Sequence, residues 1–295
     1  MLTIALALSS ALAYGSVDYL GGVAAKKVPA ILVTALSHAV SATLLAASLL
    51  FVPVSRGLVP AEIGWAMFSG LGSGLGVMFL YEGFSRGKMG VVSSIAAAIG
   101  GSAPALFDLV RGAEVSNLGL VGLALALTAA VIVSRGVDPQ THEEDAEHVQ
   151  ARTKAAVMYG LLSGTFFAAG LIGYDQIALA GAAAGGEVAT LPIVVARAFS
   201  GTVLLTTALV RFRRLSVPRN LIPHILGAGI FDAIGNVTLF GAVSRGPLAV
   251  ASPLQSLYPI PTMILARIFL KEKLHGIQLV GIALALIAIL LASIG

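Results

Sequence analysis

Apolar residues occur along this chain in long runs that short polar segments separate. Five runs cover 3–25, 30–52, 63–85, 89–109 and 118–134, and five more cover 155–177, 188–210, 221–243, 248–270 and 276–294. Each is close to the roughly 20 residues that a helix needs to cross the hydrocarbon core of a bilayer. The pattern predicts an all-α membrane protein with ten transmembrane helices.

A strongly polar stretch, DPQTHEEDAEHVQART from Asp138 to Thr153, separates the two sets of five. We therefore divide the chain into a first five-helix repeat over 1–136, a polar acidic linker over 137–153 and a second five-helix repeat over 154–295. No basic residue precedes the first apolar run, and no cleavage pattern follows it, so we expect it to be a retained helix.

The two sets are related in sequence at an offset of 159 positions, which places Arg86 on Arg245. VGLALAL at 121–127 then meets VGIALAL at 280–286, where six of seven residues are identical. An odd number of helices per set makes the second repeat enter the membrane from the opposite side, so the repeats are inverted. In such folds the substrate site lies near the bilayer midplane between the repeats, and alternating access exposes it.

Composition agrees with this class. Of the 295 residues, 57% are hydrophobic and 11% are charged, against roughly a quarter charged in soluble domains. The chain has no cysteine, which excludes disulfides and thiolate metal sites. Its net charge of +4 comes from basic residues at predicted helix ends, so the lipid bilayer is the expected partner and nucleic acid is not.

Basic loop residues give a prediction of orientation. The loops after the first, third, fifth, seventh and ninth helices hold Lys26, Lys27, Arg86, Lys88, Arg135, Arg152, Lys154, Arg211, Arg213, Arg214, Arg219, Lys271 and Lys273, with Arg267 near the same side. The opposite loops hold Arg56, Arg111 and Arg245. The positive-inside rule therefore puts both termini outside and the acidic linker in the cytoplasm.

Small residues predict close helix packing in the third helix. GLGSGLG at 70–76 pairs Gly70 with Gly74 and Gly72 with Gly76, each four residues apart. Such pairs let helix backbones approach closely in a membrane. A nucleotide-binding loop would need a preceding strand, which the pattern does not predict.

Prolines interrupt two predicted helices. Pro253, Pro259 and Pro261 lie in the ninth, and Pro104 lies in the fourth. Each removes a backbone donor, which a membrane tolerates where neighbouring groups or a watery cavity satisfy the freed carbonyls. We expect the ninth helix to kink and to line a cavity with Gln255 and Tyr258. A kink that serves packing alone is the alternative.

Ionisable groups near the middle of a span are functional candidates, because a lone charge there is costly. His38, Arg197 and Asp232 lie near the middle of the second, seventh and eighth helices. His38 and Arg197 also occupy equivalent positions in the two repeats. Asn236 follows Asp232 by four residues and shares its helix face. We predict that these four residues, with Gln255 and Tyr258, bind substrate; a purely structural ion pair is the alternative.

Four other carboxylates lie within about two turns of predicted helix ends. Glu82, Asp108, Asp175 and Asp18 can extend toward the membrane interface from there, which gives each a structural explanation. Asp18 and Glu82 also remain candidates for a cavity or coupling site.

Catalytic and metal motifs are not found. The sequence contains neither a GxSxG elbow nor an HExxH pair, and His142, Glu143 and His148 do not have the spacing of metal ligands on one helix. We expect no enzyme activity, no cofactor and no metal. An intramembrane enzyme and a receptor or scaffold are the alternatives from other classes.

The ends of the two repeats resemble the EamA family of the drug/metabolite transporter superfamily. Each has a proline-containing helix, an acidic loop and a glycine-led final helix, marked by Pro104, Glu114 and Gly122 in the first and by Pro259, Glu272 and Gly281 in the second. The resemblance implies ten helices, an inverted repeat, a central cavity, and export or exchange of metabolites or toxic compounds without nucleotide hydrolysis.

The same resemblance implies a basic residue in the second and seventh helices. Arg197 matches this pattern, whereas His38 departs from it. The resemblance also implies cytoplasmic termini, the reverse of the charge count, so the orientation stays open. A reporter fused to each terminus decides it.

The leading hypothesis is a multi-pass secondary transporter of the cytoplasmic membrane. It moves a small polar or amphipathic metabolite, such as an amino acid, as a monomer or homodimer. The alternative is an exporter of cationic compounds that exchanges its cargo for protons.

Overall fold

The structure is a computed structural model that is helical through most of the part it describes. It describes residues 1–51, 54, 56–87, 89–134, 146–185, 190–212, 216–270, 276–277, 280, 283–284, 287 and 291. The helices are α1 (Leu2–Ala25), α2 (Ala30–Ser48), α3 (Pro60–Arg86), α4 (Met89–Val110), α5 (Asn117–Ser134), α6 (Ala146–Ala183), α7 (Leu191–Arg211), α8 (Ile222–Val243), α9 (Leu248–Gln255) and α10 (Pro259–Leu270).

Eight segments of the described chain are long and apolar enough to cross a bilayer. They lie in α1 to α4, in α6 to α8, and across α9 and α10 taken together as Leu248–Phe269. They match eight of the ten predicted spans. α5 coincides with the predicted fifth span but is not one of the eight, and most of the predicted tenth helix lies outside the described residues. The count of ten therefore stays a prediction.

Large apolar side chains cover the outside of this bundle. Leu12, Leu209 and Ile268, on three different helices, expose 63%, 59% and 62% of their surface. In lipid every backbone N–H and C=O must be satisfied internally, which helices achieve along their length. An apolar exterior on an all-helical body is suited to contact with lipid tails.

Two helix boundaries differ from the expectation. α6 begins at Ala146, so its first turns occupy the second part of the predicted linker. This run is rich in alanine and other good helix formers, which lets the helix continue through polar residues. The predicted ninth helix is interrupted over Ser256–Tyr258, where α9 ends and α10 begins, because Pro259 and Pro261 cannot donate to the helical ladder.

The offset of 159 positions matches α1 with α6, α2 with α7, α3 with α8, and α4 with α9 and α10. Contacts between helices follow the same matching. α1 packs on α8, and α6 packs on α3; α2 packs on α8, and α7 packs on α3. α4 packs on α6, while α9 and α10 pack on α1. α2 also packs on α7, and α4 packs on α9. Each of these two contacts joins a helix to its own counterpart in the other set.

The glycines of GLGSGLG lie in two close interfaces on different faces of α3. A Cβ atom on Gly70 would lie 2.7 Å from the carbonyl carbon of Ala196 in α7, and one on Gly74 would lie 3.0 Å from Cβ of Ser200. A Cβ atom on Gly72 would instead lie 2.9 Å from the backbone N of Gly170 in α6. One pair of glycines therefore faces α7, and Gly72 faces α6.

Candidate functional site

Arg197 lies near the middle of α7 and is 1% exposed. Three of its nitrogen atoms have partners: Nε lies 2.9 Å from Oδ2 of Asp232, Nη1 donates to Oγ of Ser73 at 2.6 Å, and Nη2 donates to Oδ1 of Asn236 at 2.6 Å. Because Ser73 belongs to α3 and the other two to α8, this one guanidinium connects three helices.

Asp232 and Asn236 lie one turn apart on the same face of α8. Asn236 Nδ2 donates to the backbone oxygen of Asp232 at 2.6 Å, and its Oδ1 accepts from the Tyr174 hydroxyl of α6 at 2.5 Å as well as from Arg197. Neither carboxylate oxygen of Asp232 has a hydrogen-bonding partner among the described residues, so Oδ2 interacts with Nε of Arg197 as an ion pair. Asn236 thus fixes the tyrosine and the arginine at one point.

The Arg197–Asp232 pair is buried on both sides, with side chains 2% and 1% exposed. Removing water from two charges is costly, and their attraction offsets this cost only with good geometry and further hydrogen bonds. The bonds to Ser73 and Asn236 supply those further partners for the cation. The pair therefore forms a group without net charge inside the bundle.

His38 is buried beside α7, and the structure does not place it in the cavity described below. Its Nδ1 lies 2.6 Å from Oγ of Ser200, and its Nε2 has no hydrogen-bonding partner among the described residues. Ser200 follows Arg197 by less than one turn of α7. His38 is therefore a neighbour of the ion pair rather than a member of it.

A cavity of about 60 Å³ lies between residues of both sets of helices. Its polar lining comes from Asp18, Ser69, Ser73, Arg197, Asn236 and Gln255, and its aromatic lining from Tyr14, Phe167, Tyr174 and Tyr258. Pockets that hold drug-sized ligands have about 300–1,000 Å³. The cavity must therefore widen before a molecule of that size enters.

Asp18 differs most from its expected environment at a helix end. It lies about two turns before the end of α1, yet it is 4% exposed and lines the cavity. The reason is that other helices pack on this part of α1: Tyr81 of α3 donates to the backbone oxygen of Val17, and Thr262 of α10 donates to that of Gly15. Oδ2 of Asp18 has no hydrogen-bonding partner among the described residues.

The break between α9 and α10 forms one wall of the cavity through Gln255 and Tyr258. α1 approaches the break closely, because a Cβ atom on Gly15 would lie 2.7 Å from the backbone oxygen of Tyr258. Thr262 of α10 donates from Oγ1 to the backbone oxygen of Gly15 at 3.2 Å. An irregular backbone here is held by a neighbouring helix, as a membrane interior requires.

The four prolines have different effects. Pro259 is the first residue of α10, and Pro261 packs on the bare backbone of Gly15. Pro104 and Pro253 lie inside α4 and α9, neither of which is interrupted. The predicted break is therefore present at Pro259, whereas Pro104 does not produce a comparable one.

Glu82 is not part of the cavity lining. Its carboxylate pairs with Arg86, one turn later on the surface of α3. The outward face of α3 at this turn explains the placement. Asp108 accepts from the backbone N–H of Ala249 at 2.8 Å, which satisfies a donor in the first turn of α9.

Two further ion pairs lie outside the cavity. Arg111 donates from Nη1 to Oδ2 of Asp175 at 2.8 Å. Arg56 binds both carboxylate oxygens of Glu62 at 2.7 and 2.9 Å, and Glu62 also accepts from the backbone N–H of Val59 at 2.9 Å, which caps α3. The sequence analysis did not single out Glu62, although an acidic residue in the first turn after Pro60 is a recognisable helix start.

Three cavity residues were also missed. Tyr14, Ser73 and Tyr174 carry no charge at neutral pH, so the cost of burial did not mark them. One signal was available for Tyr14, which lies four residues before Asp18 and therefore on the same helix face.

No group of three or more His, Cys, Asp or Glu side chains in the described part of the chain is placed to hold a metal ion. His142 and Glu143 of the predicted linker lie outside the described residues, as does the side chain of His148.

One comparison with known proteins names a family. Residues 154–294 match the sequence model of the EamA-like transporter family. An uncharacterized protein of Methanocaldococcus jannaschii is 30% identical over 95 residues, which are 32% of this chain and 69% of that protein.

A solved structure, described only as the crystal structure of a protein, has a similar fold. It covers 99% of this chain and 96% of its own, with a TM-score of 0.74 and 14% sequence identity. The chain is therefore a multi-pass membrane protein, and its residues 154–294 belong to the EamA-like transporter family.

Proposed function

We propose that this protein is a secondary transporter of the cytoplasmic membrane that moves a small polar or amphipathic metabolite by alternating access. The observation that carries the proposal is the cavity lined from both sets of helices, whose lining includes Arg197, the hydrogen-bonded cation of a buried ion pair. Such a group is costly inside a membrane protein, and its position beside a cavity marks a substrate pathway.

The proposal includes two inverted five-helix repeats. Its support is the correspondence of helix contacts, in which the packing of α1 on α8 matches that of α6 on α3. Inverted repeats can exchange their conformations, which opens a central site first to one side of the membrane and then to the other.

In this proposal the six residues predicted to bind substrate have separate roles. Arg197 and Asp232 form the fixed polar centre, because the guanidinium already has three partners. Asn236, Gln255 and Tyr258 orient the substrate, and His38 supports α7 through Ser200. The small cavity corresponds to a closed state, and transport requires it to widen.

The absence of natural cysteines permits a direct test. Gln255→Cys places one thiol in the cavity wall, and Ala7→Cys places one at a fully buried position outside that lining. Each protein is treated with a membrane-impermeant maleimide in intact cells and in inverted vesicles. Alternating access predicts labelling of Gln255→Cys in both preparations and of Ala7→Cys in neither.

Labelling of Gln255→Cys from one side alone contradicts alternating access. Labelling of both variants to the same extent shows that the packing is loose, and it also contradicts the proposal. Neither result depends on knowing the substrate.

A further inference from the structure

Asp18 is a buried carboxylate that is not among the partners of the fixed polar centre, Arg197 and Asp232. It is 4% exposed, it lines the cavity, and its Oδ2 has no hydrogen-bonding partner among the described residues. A buried carboxylate oxygen without a partner is costly, and a positively charged ligand offsets that cost. Its free oxygen is therefore the chemical feature of this cavity that points to a ligand.

The only other charged side chain in the described cavity lining is that of Arg197. Its charge is matched by Asp232, and its two Nη atoms donate to Ser73 and Asn236. Three of its five N–H donors are therefore already directed at protein groups. Asp18 is the acidic group of the described lining that has no cationic side chain beside it.

Aromatic rings lie on the same cavity wall. Tyr14 is one turn before Asp18 in α1, and it packs with Phe167 and Tyr258 in one apolar cluster. The centroids of the Phe167 and Tyr258 rings are 6.3 Å apart at an interplanar angle of 82°. Aromatic faces attract organic cations and provide apolar contact for the body of an amphipathic molecule.

From these observations we infer that Asp18 binds the ammonium group of an organic amine, whose apolar part packs against Tyr14, Phe167 and Tyr258. The inference rests on the proposed transport function, because it takes this cavity as the cargo site. A protonated amine donates hydrogen bonds to the carboxylate, and such charge-assisted bonds are stronger than neutral ones. Gln255 supplies a further polar group in the same lining.

Three probes of similar size and different charge test the inference on the purified full chain. They are 2-phenylethylamine, 3-phenylpropionate and 2-phenylethanol, all of which are smaller than drug-sized ligands. A ligand that binds the folded state raises its apparent melting temperature. The amine is expected to stabilise the protein, and the anion and the alcohol to do so much less.

Substitutions assign the effect to Asp18. Asp18→Asn keeps the shape of the side chain and is expected to weaken amine binding about 10- to 100-fold, the usual range for loss of a charged hydrogen-bond partner. Asp18→Glu keeps the charge and is expected to retain more of the affinity. Glu82→Gln removes a carboxylate outside the cavity lining and is expected to leave binding unchanged.

Equal amine binding by the wild type and Asp18→Asn overturns the inference, and so does a preference for 3-phenylpropionate. Absence of stabilisation by the amine at millimolar concentration overturns it too. If Asp18→Asn does not fold, the ranking of the three probes on the wild type still decides the sign of the charge that is bound.

Failure of this inference is distinguishable from failure of the transport proposal. If Gln255→Cys is labelled from both sides but no amine binds, the amine-binding inference is wrong and alternating access is still supported. If the amine binds but Gln255→Cys is labelled from one side alone, alternating access is wrong and the amine-binding inference is still supported.

Discussion

Arg197 donates a hydrogen bond to Ser73, and Ser73 occupies in the first repeat the position that Asp232 occupies in the second. The offset of 159 positions relates 73 to 232, just as it relates His38 to Arg197. The guanidinium therefore contacts two equivalent positions, one with a carboxylate and one with a hydroxyl. Of these two equivalent positions, only that of Asp232 carries an acidic side chain.

This asymmetry leads to a prediction for the first repeat. His38→Arg introduces a second buried cation that has no carboxylate in the position of Ser73, and it is expected to lower stability by more than the uncharged substitution His38→Met. Ser73→Asp in the same chain supplies that carboxylate and is expected to restore part of the loss. Thermal unfolding of the purified proteins in detergent measures both effects. Equal stability of His38→Arg and His38→Met would show that the cation is accommodated without a partner.

The buried pair itself is accessible to a double-mutant cycle. Arg197→Gln and Asp232→Asn each leave one charge unpaired, and each is expected to cost about 3–5 kcal/mol of unfolding free energy. The double variant leaves no unpaired charge, so it is expected to lose less than the sum of the two single losses. Unfolding in mixed detergent micelles gives the three values. Strict additivity would contradict a direct interaction.

Glycine packing on α3 has a control within the same helix. Gly72→Ala places a methyl group 2.9 Å from the backbone N of Gly170 and is expected to destabilise the protein by about 1–3 kcal/mol. Gly64→Ala meets no atom within 4 Å, so the higher helix propensity of alanine is expected to make it neutral or stabilising by up to about 1 kcal/mol. Melting temperatures of the two variants provide the comparison. Similar losses at both sites would show that helix propensity rather than packing is responsible.

Two glutamates on α3 are expected to differ in importance. Glu62 binds Arg56 through both oxygens and caps the helix at Val59, so Glu62→Gln is expected to cost about 1 kcal/mol or more. Glu82 pairs only with Arg86 on the surface, so Glu82→Gln is expected to cost at most about 0.5 kcal/mol. Stability at low and high salt measures both effects. Glu62→Gln is expected to lose more stability than Glu82→Gln, and the reverse order would contradict the prediction.

Much of the helical architecture follows from the sequence because a bilayer allows few alternatives. Apolar runs of spanning length predicted α1 to α4 and α6 to α8. In lipid the backbone N–H and C=O groups must bond to one another, which a helix achieves. The cost of an unpaired charge likewise made Arg197 and Asp232 candidates, and the structure brings them together.

Other parts of the site depend on contacts between distant segments. Ser73 and Arg197 are 124 positions apart, and nothing local in SGLGSGLG distinguishes Ser73 from Ser69 as the partner. The position of Asp18 in α1 allowed either a helix-end or a cavity environment, and residues of α3 and α10 packed beside it leave it 4% exposed. Distance to a helix end predicts exposure only when no other helix packs there.

The two glycine interfaces of α3 have a mechanical consequence. Side chains between helices act as a deformable layer, and Gly70 and Gly72 remove that layer where α3 meets Ala196 of α7 and Gly170 of α6. Helices in direct backbone contact have little freedom to slide, so α3, α6 and α7 are expected to travel as one rigid block. This block would contain one helix of the first set of five and two helices of the second set. The parts that move as units would therefore differ from the two sets defined by the sequence.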